Sequence, residues 1–252
     1  METIDAPLIP AATVVLIRNS AQGALETLLL KRNAKLNFAG GNWVFPGGRV
    51  DAEDYQGNCP DSEQHQREQQ RASREAGEFQ AALTAAARET AEEASLSLTE
   101  DDLVYFSHWI APPLMKKRFS TWFFVAQIDA SDADVVVDGG EIHESRWITP
   151  GEALQQVDEQ QINLLPPTIV TLHELAAFGD CAAALAHYRQ REAMIFRPHT
   201  FVGEQGTDTE GQFVFLYEGD AGYQSSNPAL EGQRHRLELI EGRWQYLNTL
   251  GE

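Results

Sequence analysis

A single helical stretch places the strongest constraint on how this chain can fold. Apolar and polar residues follow a helical period from about Phe79 to Ser95. At about 100° per residue, three glutamates fall within one wedge of the helix, and small or apolar residues fall on the opposite side. The glutamates are Glu89, Glu92 and Glu93, and the opposite side holds Leu83, Ala87, Thr90, Ala91 and Ala94. This helix is expected to pack through small side chains and to present carboxylates on its other face.

The three glutamates allow two interpretations. Carboxylates at positions i, i+3 and i+4 repel one another by a few tenths of a kcal/mol per pair, about 0.2–0.5, and a bound dication would reverse that cost. Upstream, the apolar run WVFPGGRV is broken by Pro46, Gly47 and Gly48, which forces a tight turn. Such a turn lets backbone groups approach a metal ion or a phosphate. The residues alone leave both a solvated helix face and a metal site open.

The remaining segments predict an α+β fold with a mixed sheet. Residues 13–18 and 26–32 are rich in strand formers and flank a Gly-containing turn, so they predict a hairpin. Further strands are predicted at 103–110, 118–128 and 144–148, helices at 150–157, 168–178 and 181–193, and antiparallel tail strands at 194–202, 211–217 and 234–247. A polar, glutamine-rich insertion at about 55–78 precedes the helix. We expect one domain over 1–252, with a core at 10–160 and a C-terminal extension at 161–252.

Composition and charge limit the classes of partner. The chain has 252 residues, 42% of them hydrophobic, and a net charge of −19. Its overall field therefore repels nucleic acid and anionic membranes. No uninterrupted apolar run reaches the roughly 18 residues of a membrane helix, and the N-terminus lacks the basic start of a signal peptide. Cys59 and Cys181 have no metal-ligand spacing. We expect a soluble, cytoplasmic protein that would bind a phosphate only through a local site, such as a divalent metal ion held by carboxylates or a small basic cluster.

FPGGRVDAED followed by RETAEEASL resembles the signature loop and helix of the Nudix hydrolase family. The matching positions are Gly48, Arg88, Glu89, Glu92, Glu93 and Leu96, and Asp54 stands where the family usually has glutamate. Thr90 and Ser95 depart from the pattern, which has an aliphatic residue and a glycine at those places. The spacer between the two halves, residues 55–87, is also far longer than usual. Some members of one branch, the coenzyme A diphosphatases, carry a long insertion there.

The segment before the turn is similar to that branch's own signature. Leu28, Leu29, Arg32, Gly41 and the FPGG turn from Phe45 are in register with it, whereas Asn33 and Asn37 replace a small residue and an arginine. Residues 108–126 and 164–168 are also similar to segments of the insertion-bearing members. The resemblance implies hydrolysis of coenzyme A or acyl-CoA to adenosine 3′,5′-bisphosphate and a 4′-phosphopantetheine derivative.

The resemblance further implies a site inside an α/β/α sandwich. Mg²⁺ or Mn²⁺ would bind Glu89, Glu92, Glu93 and the Gly47 carbonyl, and Arg88 would orient the carboxylates. The general base would be Glu93 or Glu141. The substrate-binding residues would be Arg32, Gly48 and the basic run Lys116, Lys117 and Arg118. Family members are often dimers, so a homodimer is implied as well.

Two other functions stay open. Asn37, where the branch signature has arginine, leaves room for another nucleoside diphosphate derivative as substrate, such as ADP-ribose, a nucleotide sugar, NADH, a dinucleoside polyphosphate or capped RNA. The other function is a non-catalytic binding module with a Nudix fold. The three glutamates argue against that module, because a pure binder has no need to tolerate their mutual repulsion.

Overall fold

A computed structural model describes residues 6–36, 39–56, 76–113, 115, 117–129, 134–207 and 209–251. Within these ranges the chain forms twelve strands and four α-helices. The strands are β1 (Leu8–Asn19), β2 (Leu25–Arg32), β3 (Trp43–Val44), β4 (Gly47–Arg49), β5 (Val104–Ile110), β6 (Arg118–Gln127), β7 (Ile142–Ile148), β8 (Met194–Phe196), β9 (His199–Val202), β10 (Phe213–Leu216), β11 (His235–Ile240) and β12 (Arg243–Asn248). The helices are α1 (Ala76–Ala94), α2 (Pro150–Asp158), α3 (Pro166–Leu175) and α4 (Cys181–Gln190).

Two sheets account for these strands. The larger one is mixed and has the order β3-β2-β1-β6-β5-β8, with β4 also pairing with β1 and β7 with β2. β1 runs parallel to β6, and β5 runs parallel to β8. The smaller sheet is antiparallel, in the order β12-β11-β10-β9. The mixed sheet predicted from the sequence is confirmed.

Alternating residues of β1 show how the helices lie around the larger sheet. Val14 and Leu16 belong to a core shared with α1, whereas Val15 and Ile17 belong to a second core shared with α2, α3 and α4. Successive side chains of a strand point to opposite faces, so the sheet lies between helical layers. This is the α/β/α arrangement expected for the chain, and of the described helices only α1 lies on the face of Val14 and Leu16.

Aromatic packing anchors the first turns of α1. Phe79 is fully buried, and its ring centroid lies 5.4 Å, 5.2 Å and 6.1 Å from those of Tyr105, Trp122 and Phe124. Leu83, one turn further along, is also fully buried. The predicted packing side is confirmed at Leu83, Thr90 and Ala94, which are buried. It was wrong at Ala91, which is exposed, and the buried side of the helix is turned far enough to include Glu93.

The tail both confirms and corrects the sequence prediction. β11 and β12 form a predicted hairpin, whose turn residues Glu241 and Gly242 have φ values of 51° and 78°. The prediction that 194–202 belongs to antiparallel hairpins was wrong for 194–196 and is confirmed for 199–202, because β9 pairs antiparallel with β10. β8 pairs in parallel with β5 in the larger sheet, and β9 lies in the smaller sheet. The break falls at Pro198, which has no amide hydrogen to offer a strand.

The insertion falls largely outside the described residues, which omit 57–75. At its edges, residues 52–56 form a 3₁₀ turn, and residues 76–78 already belong to α1. Three residues of the predicted insertion, 76–78, therefore lie within α1. The single domain over 1–252 stays a prediction.

No helix in the ranges above combines the length and the apolar character that crossing a bilayer requires.

Candidate active site

The FPGG turn lies against the middle of β1. The Val14 amide donates a hydrogen bond to the Pro46 carbonyl at 2.9 Å, and Gly47 pairs with Thr13 in the antiparallel β4 register. Gly47 has φ of +154°, and a Cβ there would overlap the Ala12 carbonyl oxygen and the Thr13 Cα. Because only glycine allows this close approach, the turn brings backbone into a place that other residues could not reach.

The second glycine of the turn lies directly under a glutamate of α1. A Cβ on Gly48 would overlap the carboxylate of Glu89. The carboxylate therefore occupies the space that any side chain at position 48 would fill. The turn and the helix, which are 41 residues apart in the sequence, meet at this contact.

Glu93 is the most enclosed of the three glutamates. The Gly47 amide donates a hydrogen bond to its Oε2 at 2.9 Å, and Arg32 Nη1 lies 3.8 Å from its Oε1. Burial raises the pKa of Glu93 to about 8, and the nearby carboxylates of Glu89 and Glu141 raise it further, against the opposing effects of Gly47 and Arg32. The pocket thus holds a carboxylate whose negative charge is only partly compensated.

Arg88 joins the turn, the following loop and the helix. Its Nε and Nη2 donate to the two oxygens of Asp54 at 3.1 Å and 2.9 Å, and Nη2 also donates to the Arg49 carbonyl at 3.0 Å. Nη1 donates to Glu89 Oε1 at 2.9 Å. These bonds, that to Asp54 first, hold the pKa of Arg88 above its usual value. Arg88 therefore fixes Glu89, as the resemblance implies.

Asp54 is a residue to which the sequence assigned no role. Its side chain is only 3% exposed, and it also accepts a hydrogen bond from the Asp51 amide at 2.8 Å. Burial by itself raises the pKa of Asp54, but the bonds from Arg88 and Asp51 outweigh it, so the pKa lies below its usual value. The signal for this role was its match to the acidic position of the Nudix pattern.

Glu92 and Glu141 are the two solvent-facing carboxylates of the site. Glu92 is 60% exposed, and its Oε2 lies 3.5 Å from Arg88 Nη1. Glu141 is 59% exposed, and its Oε2 accepts a hydrogen bond from Arg32 Nη2 at 3.0 Å. A single guanidinium, that of Arg32, thus lies between Glu141 and Glu93. Both candidates for the general base belong to one site.

The donor set suits Mg²⁺ or Mn²⁺ in kind, because these ions prefer carboxylate and carbonyl oxygens. Among the described residues, no three His, Cys, Asp or Glu side chains stand close enough to form a ready metal site. Arg88 donates a hydrogen bond to Glu89, and the Gly47 amide donates one to Glu93. A metal ion would replace these donors as the partner of Glu93, whose buried negative charge is only partly compensated, and of the adjoining Glu89. The Gly47 carbonyl stays a predicted ligand.

Arg118, the last residue of the basic run, lies apart from the turn that meets the glutamates. Arg118 pairs with Leu8 in the β1–β6 register, four residues from the Ala12 that faces Gly48, or about 13 Å along the strand. Its guanidinium donates to the carbonyls of Ala111 and Ala6 at 3.2 Å and 3.1 Å. Lys117 is exposed, and Lys116, like Asn37, lies outside the described residues. Arg118 thus has a structural role, and substrate binding by this run stays a prediction.

The departure at Ser95 is accommodated with strain. Ser95 follows the last residue of α1 with φ of +56°, the left-handed conformation that favours glycine. Its amide donates to the Ala91 carbonyl at 3.0 Å, and its Oγ donates to the Val136 carbonyl at 2.9 Å. The helix therefore ends as a glycine would end it, with an added side-chain bond to the next segment.

Comparison with known proteins gives a family and a fold. The model of the NUDIX domain family matches residues 7–166. A Nudix hydrolase structure from Alicyclobacillus acidocaldarius aligns with a TM-score of 0.58 and 22% identity over 72% of this chain and 97% of that one. An Ap4A hydrolase from C. elegans aligns with a TM-score of 0.44 and 22% identity, over 71% of this chain and 99% of that one. The NUDIX domain of Shewanella oneidensis NrtR, in a complex with ADP ribose, aligns with a TM-score of 0.46 and 14% identity, over 67% of this chain and 86% of that one. A search among curated proteins found no match.

Proposed function

Since this chain belongs to the Nudix family and is a pyrophosphatase-type hydrolase, we propose that it hydrolyses the diphosphate linkage of coenzyme A or acyl-CoA. The products would be adenosine 3′,5′-bisphosphate and the corresponding 4′-phosphopantetheine derivative. The observation that supports the hydrolytic site is the contact of Glu89 and Glu93 with the two glycines of the FPGG turn, whereas the choice of coenzyme A rests on the resemblance of the segment before that turn. The contact joins both halves of the family signature despite the long spacer between them.

Nudix hydrolases generally need divalent metal ions such as Mg²⁺ or Mn²⁺. When bound, such an ion neutralises charge on the diphosphate and lowers the pKa of an attacking water. In this chain Glu89, Glu92 and Glu93 would hold it, with the Gly47 carbonyl as a further ligand. Arg88 would keep Glu89 oriented through the hydrogen bond that it already donates.

We assign the general base to Glu141. Glu93 has both of its oxygens engaged, by the Gly47 amide and by Arg32, and it is also needed as a ligand. Glu141 accepts from Arg32 through Oε2, and because its side chain is 59% exposed, Oε1 would take the proton of the attacking water. Its exposure suits a base that must reach water within hydrogen-bond distance.

Arg32 supports an anionic substrate. Its Nε is buried and has no hydrogen-bond partner among the described residues, while its two terminal nitrogens lie near Glu93 and Glu141. Because this Nε has no accessible surface, a substrate phosphate would bind the guanidinium through its terminal nitrogens, by charge-assisted hydrogen bonds. Arg32 also belongs to the upstream segment that resembles the coenzyme A branch. Gly48 would let the substrate approach closely because it has no side chain.

The test is hydrolysis of free coenzyme A, an acyl-CoA, ADP-ribose and NADH with Mg²⁺ or Mn²⁺, with the products separated by chromatography. The variant is Glu92→Gln, because Glu92 is exposed and its substitution leaves the packing of α1 intact. Glu231→Gln, an exposed glutamate in the C-terminal region, is the matched control. Metal-dependent release of adenosine 3′,5′-bisphosphate, lost only in Glu92→Gln, is expected.

Two other results would change the assignment. Cleavage of ADP-ribose or NADH alone would keep the site and replace coenzyme A with another nucleoside diphosphate derivative. An absence of metal-dependent cleavage with every substrate would refute the proposed coenzyme A activity.

A further inference from the structure

Ser95 ties the end of α1 to the segment that leads to Glu141. We call residues 135–138 the brace. The Val136 amide donates to the Ala94 carbonyl at 3.2 Å, and Ser95 Oγ donates to the Val136 carbonyl at 2.9 Å. One residue of the brace therefore makes two hydrogen bonds with the last turn of the helix that carries Glu89, Glu92 and Glu93.

The side chains of the brace hold it against the fold. Val135 and Val137 are partly buried against the core beneath α1, whereas Val136 between them is exposed. The exposed side chain of Val136 makes no contribution to that core, so its position is set by two hydrogen bonds: its amide donates to the Ala94 carbonyl, and its carbonyl accepts from the Ser95 hydroxyl. Alternating burial of this kind fixes which way the segment faces.

The brace ends at Asp138, which builds the turn that carries Glu141. Its two carboxylate oxygens accept hydrogen bonds from the amides of Glu141 at 2.9 Å and Ile142 at 2.8 Å. The Asn33 amide donates to the Glu141 carbonyl at 2.8 Å, and Arg32 holds the Glu141 carboxylate. The turn is thus connected on one side to β2 and on the other, through the brace, to the end of α1.

We propose that Ser95 is a positioning residue, which holds the Glu141 turn at a set distance from the carboxylates of α1 through its hydroxyl bond to Val136. The proposal rests on the proposed function in one respect, the assignment of Glu141 as the base. A base and a metal ligand on separate elements need a fixed separation, because a displacement of about 1 Å can slow a reaction by about 10²-fold. Ser95 supplies a link that glycine at this position cannot make.

The experiment compares wild type, Ser95→Ala, Ser95→Gly, Glu141→Gln and the double variant Ser95→Ala/Glu141→Gln. Ser95→Ala keeps the strained backbone and loses the hydroxyl, whereas Ser95→Gly loses the hydroxyl and relieves the strain. Ser20→Ala is the matched control, because the half-buried Ser20 also uses its hydroxyl, which accepts hydrogen bonds from the amides of Gln22 and Ala24 in the β1–β2 turn. The measurements are kcat, KM and the hydrogen-exchange rates of the Val136, Ile142 and Val15 amides.

We expect kcat to fall about tenfold in both Ser95 variants, with KM within about twofold of wild type. This loss is smaller than a displacement of about 1 Å would give, because Asp138 and Arg32 still hold the turn. Exchange at Val136 and Ile142 should quicken while Val15, in the core, stays protected. In the Glu141→Gln background the Ser95 substitution should add nothing to the loss, since both act through one group.

Equal loss of kcat from Ser95→Ala in both backgrounds would overturn the proposal, as would unchanged exchange at Ile142. Full activity of Glu141→Gln would also overturn it, because the turn would then position no base, while the hydrolase itself would stand if Glu92→Gln were inactive. If wild type cleaved none of the substrates, the proposed function would fail, and the exchange rates alone would still decide whether Ser95 holds the turn.

Discussion

Replacing Asp54 with asparagine tests whether the Arg88 contact organises the site. Asp54 accepts three hydrogen bonds with its two oxygens, two from Arg88 and one from the Asp51 amide. Asparagine keeps the shape but has one acceptor oxygen and an NH₂ group that meets a donor. At least one of the three donors would therefore lose its partner.

The expected cost follows from these bonds. A hydrogen bond to a charged group contributes about 1.5–3 kcal/mol and a neutral one about 1 kcal/mol, so neutralising Asp54 loses about 1 kcal/mol for each Arg88 bond. An unpaired donor adds about 1–3 kcal/mol. Because Arg88 keeps Glu89 and some contact with solvent, we expect a total at the lower end of this sum, about 3 kcal/mol. For a chain of this size that corresponds to a fall in Tm of roughly 6–12 °C.

The pH dependence has a definite sign. The folded-state pKa of Asp54 lies below its ordinary value of 3.8, so its contribution to stability is complete above that pH. The contribution is lost as the pH falls through the folded pKa. Asp54→Asn should lack this part of the acid sensitivity, and its difference from wild type should shrink in acid.

Thermal denaturation at pH 7 and at lower pH checks the stability, and the Mg²⁺ concentration that gives half-maximal hydrolysis checks the site. We expect that concentration to rise, because Arg88 no longer held by Asp54 is free to compete for Glu89 and Glu92. Asp51→Asn is the matched control, since Asp51 is exposed and its carboxylate lies 3.7 Å from Arg88 Nη2. Equal shifts in Tm for the two variants would refute the reasoning.

Three further predictions follow from other contacts. Gly48→Ala should raise the metal concentration needed for hydrolysis and change Tm only slightly, because the new methyl group displaces only the flexible end of Glu89. Gly151→Ala is the control, because a methyl group there meets open space. Unchanged metal dependence in Gly48→Ala would contradict the prediction. Phe79→Ala should lower the free energy of unfolding by about 3–5 kcal/mol, measured with urea, because the ring is fully buried; a loss below 1 kcal/mol would contradict it. Burial lowers the pKa of His108 from 6.5 to about 4. The free energy of unfolding should therefore fall by up to about 3 kcal/mol as the pH falls from 6.5 towards 4. His108→Gln should weaken this pH dependence, as measured by urea denaturation at each pH.

Several features could be predicted because they depend on nearby residues. The period of residues 79–95 predicts both the helix and its acidic wedge, and α1 extends from Ala76 to Ala94. The glycines predict a turn, since a break in an apolar run is a local signal. The tail was predicted less well, because no period of side chains reveals that β8 and β9 join different sheets.

The details of the site depend on contacts between distant residues. Asp54 and Arg88 are 34 positions apart, and Arg32 and Glu141 are 109 apart. No local pattern gives the partner of such a residue, because the pairing follows from how the strands and α1 stack. The exposure of Glu92 beside the burial of Glu93 likewise depends on which side of the helix faces the turn.

By itself, the amino-acid sequence determined the acidic helix, the glycine turn and the family resemblance, since these depend on residue type and short-range spacing. Only the tertiary structure decided that the Gly47 amide meets Glu93, that Glu89 lies over Gly48, and that Ser95 links α1 to the Glu141 turn. The physical reason is that periodicity sets the face of an element, whereas the packing of the whole sheet sets what that face contacts.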